Sequence, residues 1–269
     1  MQDEACVAFL RWCLPQLQLR WPGYRKVRRL VGKRLDRRLS ELGLANLSAY
    51  RAFLSREPEE WSRLDAICHI PISRFYRDRR VFDLIGQRIL PEVVAAAVAR
   101  GDATARCWSA GCASGEEPYT IALICRHSAD PACQNVHIVA TDADATMLAR
   151  ATSACYSRSS LKELPRAWIE TDFIPADELL CLRPAIRRNV VFALEDIRHV
   201  MPDGLFDLIL CRNLVFTYFD EDLQRDILVH FRMKLREGGF LVVGMHEALP
   251  PSIDGFQHVI ANLPIYRRK

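Results

Sequence analysis

Beyond about residue 100 the chain alternates short apolar runs with helical patterns, and no other feature narrows its choice of fold so far. Residues 105–109, 136–141, 189–193, 206–211 and 240–243 read as buried strands. A helix is predicted from Asp220, an acidic N-cap, with Leu223, Ile227, Phe231 and Leu235 on one face and a stop at Gly238 and Gly239. Strands that alternate with helices specify βαβ units around a mostly parallel sheet, so the fold class is α/β.

The front of the chain has another texture. Leu30, Leu35, Leu39 and Leu42 recur at helical spacing among Arg28, Arg29, Lys33, Arg34, Arg37 and Arg38, which predicts an amphipathic helix with a basic face over 25–38. A second helix is predicted over 47–54, and Pro58, Glu59 and Glu60 suit the first turn of a third. Residues 1–80 hold 17 Lys/Arg against 9 Asp/Glu, a balance of +8, while the whole chain has a net charge of only +4. A basic front and an acidic remainder imply a front end that faces a partner. Half the residues are apolar and 26% are charged, which excludes a disordered or fibrous chain. No apolar run is long enough to cross a bilayer and the N-terminus lacks the order of a secretory signal, so no membrane insertion is expected and the expected location is cytoplasmic. The ten cysteines form no C-x-x-C pair and mostly sit in apolar stretches, which predicts buried thiols with neither a zinc site nor disulfides.

A parallel sheet binds its ligand at the carboxyl ends of its strands. After the first strand comes Ser109-Ala110-Gly111-Cys112-Ala113-Ser114-Gly115-Glu116-Glu117, small residues that let a ligand approach the backbone before a helix begins. This is not a dinucleotide fingerprint, and the two glutamates at the helix start would repel a pyrophosphate, which disfavours a nicotinamide cofactor. They suit a ligand carrying positive charge and hydroxyls. The second strand ends at Asp142, placed to accept hydrogen bonds from ribose hydroxyls. The third ends in Glu195-Asp196-Ile197, where a carboxylate and a backbone amide can read an adenine edge, and the fourth in Cys211-Arg212-Asn213. Asp142 and Asp196 also have the composition of plain helix caps.

With these residues in place, Tyr24 to Leu44, Ile72 to Asp78, Cys112 to Tyr119, Ala140 to Asp142, Tyr156 to Pro165, Cys211 to Asp220 and Gly244 to Pro250 together resemble the CheR family of chemotaxis-type protein methyltransferases. The resemblance implies a helical domain over 1–72, a linker and connecting helix over 73–95, and a class I, Rossmann-like methyltransferase domain over 96–269 that binds S-adenosylmethionine. It also implies a small β subdomain over 166–193 for docking on receptors. By the same resemblance Ser73, Arg77 and Glu117 lie around the methionine moiety, Asp142 holds the ribose, and Asp196 and Ile197 meet the adenine. Gly111 and Asn213 border the same cofactor, and Arg77 and Tyr218 are the catalytic pair. Three departures stand out: Tyr76 replaces a phenylalanine, Ser73 replaces a threonine, and four residues rather than three separate Asn213 from Tyr218.

The implied reaction esterifies glutamate side chains of chemoreceptors. A glutamate carboxylate has an ordinary pKa of about 4.3, so at neutral pH it is already the nucleophile. The seven scattered histidines, with no Ser-His-Asp or Cys-His set, agree with a reaction that needs no strong base. The basic stretch 25–38 would then face the acidic helices of a receptor-like partner. A nucleic-acid surface is a poorer match because that stretch lacks interleaved aromatics, and a simply solvated helix face is the plain alternative. Two other functions share the fold: a small-molecule methyltransferase, and a binding module without turnover.

Overall fold

The computed structural model describes residues 3–251 and 254–269. The chain forms two compact units, one running to Ile70 and including Thr217–Leu223, the other made of Pro71–Phe216 and Gln224–Lys269.

In the helical unit, Asp3–Cys13, Arg28–Leu42, Leu47–Leu54 and Glu60–Cys68 are the main helices. Phe9, Leu10, Val31, Leu35, Leu39, Tyr50 and Leu64 are buried, whereas Leu30, expected on the apolar stripe, is exposed. The stripe begins one residue later, at Val31, because residues 31, 35 and 39 keep a strict four-residue spacing that Leu30 breaks. Gly43, with φ of +65°, closes the basic helix by taking the left-handed cap that glycine adopts at little cost. Part of the basic face is turned inward. Arg34 donates to the carbonyls of Ile67 and His69, and Arg38 donates to Glu60 at 2.6 and 2.8 Å. Residues 217–223 join this unit through Arg20 N–H to Tyr218 O and Asp220 N–H to Gln18 O, at 2.8 and 2.9 Å.

The larger unit is built on β1 (Ala105–Ala110), β2 (Val136–Asp142), β3 (Cys155–Ser157), β4 (Phe173–Ala176), β5 (Leu179–Leu182), β6 (Val190–Leu194), β7 (Phe206–Cys211), β8 (Leu235–Val243), β9 (Phe256–His258) and β10 (Ile265–Arg268). Seven of these, in the order β6-β2-β1-β7-β8-β10-β9, make one sheet, parallel from β6 to β8 and antiparallel at β10 and β9. Strand side chains alternate between two packed faces. Cys107, Ile138, Leu208 and Phe240 join Val93 and Ala97 of helix Leu90–Ala99 and Ile121 and Ile124 of helix Glu116–Arg126. On the other face Trp108 packs against Phe206 and Phe231. Strands after β1 move outward to one side, through β2 to β6, and the chain then returns to place β7 on β1's other flank. That reversal makes the carboxyl ends of β1 and β7 the crevice of the sheet.

Three expectations change. The helix predicted to run to Gly238 ends at Lys234, and Leu235 opens β8 opposite Phe206. The register shifts before Phe240 pairs with Leu208, with Gly238 at φ +77° in the intervening bulge. The small sheet, in the order β3-β5-β4, begins at Cys155 rather than near 166, and β6 belongs to the main sheet. A three-residue strand such as β3 carries no period that a sequence can display. Finally, Cys155 and Cys181, directly opposed across β3 and β5, form a disulfide, while the other eight cysteines are free and buried. Their sequence separation of 26 matches no local motif, so only strand pairing reveals the bond.

Candidate functional site

The loop after β1 owes its shape to three left-handed residues, Gly111, Ala113 and Gly115, at φ of +76°, +47° and +89°. It folds over the tip of β2, where Thr141 O accepts the amides of Gly111 and Cys112 at 2.8 and 3.0 Å. A side chain at Gly111 would stand 2.4 Å from Leu214, so this glycine serves both conformation and space. Asp142 anchors the same loop: one carboxylate oxygen accepts Ala113 N–H at 2.8 Å and the other Asp144 N–H at 2.9 Å.

The two glutamates that open helix Glu116–Arg126 part company. Glu116 is buried and accepts from Ser114 and Ser160. Glu117 is half-buried and accepts from Ser109 Oγ at 2.8 Å and Arg212 Nη1 at 3.1 Å. Asp196, at the β6 tip, is clasped by Arg198 through Nε at 3.0 Å, Nη2 at 2.6 Å and the backbone amide at 2.9 Å. Burial pushes the Asp196 carboxyl up, but the hydrogen bonds and charge of Arg198 outweigh it and hold the group below the usual aspartate value. Ile197 beside it is buried.

At β7 the tip is fixed by a carboxylate from beyond β8. Glu247 Oε2 accepts Asn213 N–H at 2.8 Å and Gly244 N–H at 2.5 Å, holding Asn213 at φ +57°. A Cβ on Gly244 would lie 2.6 Å from that oxygen and 2.9 Å from Asn213 Oδ1. Asn213 Oδ1 accepts Arg77 Nη2 at 3.3 Å, and Arg77 Nη1 donates to Ile72 O at 3.0 Å. Arg77 stands between two residues in the left-handed region, Tyr76 at φ +55° and Asp78 at φ +65°. The Tyr76 amide donates to Thr120 Oγ1, and its hydroxyl, the atom by which it departs from phenylalanine, donates to Asp83.

The strand tips thus bring Gly111, Glu117 and Asp142 together, and Arg77 together with Asn213, with Arg212 joining the two groups. Ser73 lies half-buried in the irregular stretch just before them. Tyr218 belongs to the helical unit, its ring 5.1 Å from that of Tyr24. Sequence reasoning assigned no task to Ser109, Asp78 or Arg212 and left Glu247 undecided. The available signal was a charged residue directly after an apolar run, Leu208-Ile209-Leu210-Cys211-Arg212. Carboxylates, glycines that admit close approach and a buried guanidinium whose Nε has no partner fit a zwitterionic ligand that bears hydroxyls. Among the described residues no group of His, Cys, Asp or Glu side chains is arranged to hold a metal ion. Likewise, no helix there is long and apolar enough to cross a membrane.

Residues 72–263 match the family described as CheR methyltransferase, SAM binding domain. Chemotaxis protein methyltransferase 1 of Pseudomonas aeruginosa is 34% identical over 203 residues, 72% of this chain and 73% of that protein. A chemotaxis protein methyltransferase of Borreliella burgdorferi is 29% identical over 83% of this chain and 81% of its own length. An uncharacterized 104.1 kDa protein of Rhodobacter capsulatus is 29% identical over 88% of this chain, which spans only 25% of that longer protein.

Proposed function

Because the chain belongs to the CheR methyltransferase family, whose matching domain binds S-adenosylmethionine, we propose that it methylates glutamate side-chain carboxylates of a protein acceptor, a receptor-like signalling protein. The observation that carries this reading is the Arg77–Asn213 contact at the carboxyl edge of the sheet, joined through Arg212 to Glu117. The cofactor supplies a methyl group made electrophilic by its sulfonium. Glu117 would hold the amino-acid end beside Ser73 and Asn213, Asp142 the ribose, and Asp196 with the Ile197 amide the adenine. Gly111 gives the backbone room to approach.

The work left to the protein is alignment and the exclusion of water, since the acceptor carboxylate is ionised at neutral pH without help. Arg77 suits the reacting end. A guanidinium keeps its charge at any working pH and presents donors in a rigid fork, so it orients carboxylates better than a lysine does. The exposed cations Arg29, Lys33 and Arg37, with Arg63 beside the groove that Arg34 and Arg38 line, suit an acidic acceptor helix.

The test is transfer of labelled methyl from S-adenosylmethionine to proteins of a lysate from the source organism, followed by mild alkali. Label released by alkali marks a carboxyl ester and supports the reading; stable label marks amine methylation, and label found only on small metabolites marks another acceptor class. Either of the last two outcomes overturns it.

A further inference from the structure

Arg212 carries its charge at a side-chain exposure of 3%, a position that is costly unless every charge is matched. Its matches lie far apart in sequence. Nη1 donates to Glu117 at 3.1 Å, and Nη2 donates to Asp78 Oδ2 at 2.6 Å and to Arg77 O at 2.8 Å. The guanidinium also lies 4.8 Å from the centre of the Phe82 ring. One side chain therefore grips the bend that carries Arg77 and the helix that carries Glu117. The bend needs the grip, since Tyr76 and Asp78 both hold left-handed backbones that residues with a side chain adopt only at a cost. With the Arg77 carbonyl and the Asp78 carboxylate fixed, the direction in which Arg77 leaves the backbone is fixed too.

We infer that Arg212 is the positioning residue of this site: it sets Arg77 by holding that residue's own carbonyl and the Asp78 carboxylate that follows it and, with its other nitrogen, sets the carboxylate of Glu117. This rests on the roles given to Arg77 and Glu117 above. Arg212 acts through those two residues, and Asp78 is the part of the device that has no task toward the cofactor.

Two variants test it. Asp78→Asn keeps shape and tolerates a left-handed backbone but removes the charge that Arg212 holds. Arg212→Lys keeps one charge but cannot span three acceptors. Trypsin reads the bend directly, because Arg74, Arg77, Arg79 and Arg80 are its cleavage sites. In both variants cleavage between Arg74 and Arg80 should quicken several-fold at a temperature where circular dichroism still shows the parent's folded signal, although melting falls because a buried charge has lost a partner. Asp78→Asn should lower kcat about tenfold and leave KM for S-adenosylmethionine within about threefold. Arg212→Lys, which also frees Glu117, should weaken calorimetric binding of S-adenosylhomocysteine by about tenfold as well. Unchanged cleavage and unchanged kcat in Asp78→Asn would overturn the inference, whatever Arg212→Lys does. If no protein is methylated at all, the proposed function fails, whereas the cleavage and calorimetric results still decide the role of Arg212.

Discussion

At the scale of single residues, the site is made of side chains that do two things at once. Asp142 is the clearest: its carboxylate already holds the β1 loop by Ala113 N–H and is also the group assigned to the ribose. Asp142→Ala should therefore weaken S-adenosylhomocysteine binding more than about tenfold in calorimetry. Unchanged affinity would leave Asp142 as a loop anchor alone. Among the described residues the Arg77 guanidinium makes two hydrogen bonds, at 3.0 and 3.3 Å, and the residue is partly exposed. Arg77→Ala should abolish methyl transfer with the melting temperature nearly intact, and an active variant would remove it from the reaction. The positions of Asp142 and Glu117 were legible in sequence because one closes a strand and the other lies in the first turn after a strand-end loop, where a parallel sheet exposes residues to ligand. The clasp of Asp196 by Arg198 was equally local, two residues on, and the reading of Asp196 as an adenine contact took no account of it.

Elements are held by polar pairs as well as by apolar packing. In the helical unit Glu60, only 6% exposed, accepts from Arg38 and from Tyr50 at 2.7 Å. The hydrogen bonds from Arg38 hold its carboxyl below the ordinary value of 4.5, and burial opposes this only in part. A carboxyl depressed on folding stabilises above its unfolded pKa and loses that stabilisation as pH falls through its folded pKa. Glu60→Gln should therefore cost about 2 kcal/mol at neutral pH in denaturant unfolding, and the gap between variant and parent should close on acidification below 4.5. A gap that stayed constant with pH would show that the charge is not what matters. The small sheet has a different tie, the Cys155–Cys181 disulfide between β3 and β5. Cross-linking a loop of this length stabilises by about 3 kcal/mol in the chain-entropy view, so a reductant should lower hydrogen-exchange protection of β3 to β5 while β1 and β7 keep theirs. Equal protection with and without reductant would mean that the strands hold without the bond.

For the molecule as a whole, charge is divided along the chain, with a basic helical front and an acidic remainder. Arg34 and Arg38 are committed within the helical unit, and Arg28 pairs with Asp3 at 3.0 Å, so Arg29, Lys33 and Arg37 are the exposed cations of that helix. The association rate with an acidic acceptor should drop steeply as salt rises from about 0.05 to 0.3 M, where the screening length falls below 10 Å. A flat salt profile in stopped-flow binding would reduce this face to solvated surface. The sequence alone determined the α/β class, most of the parallel strands to within a residue or two, the helix 47–54 without error, and the acidic strand ends. All of these follow from periodicity and from rules that act over a few residues. Only the tertiary structure decided the grip of Arg212 on Asp78 and Glu117, 134 and 95 positions away, the lock of Glu247 on Asn213, the disulfide, and the membership of residues 217–223 in the helical unit. Such pairings depend on which strand tips the sheet order brings side by side, and no window of sequence short enough to carry a periodic signal contains both partners.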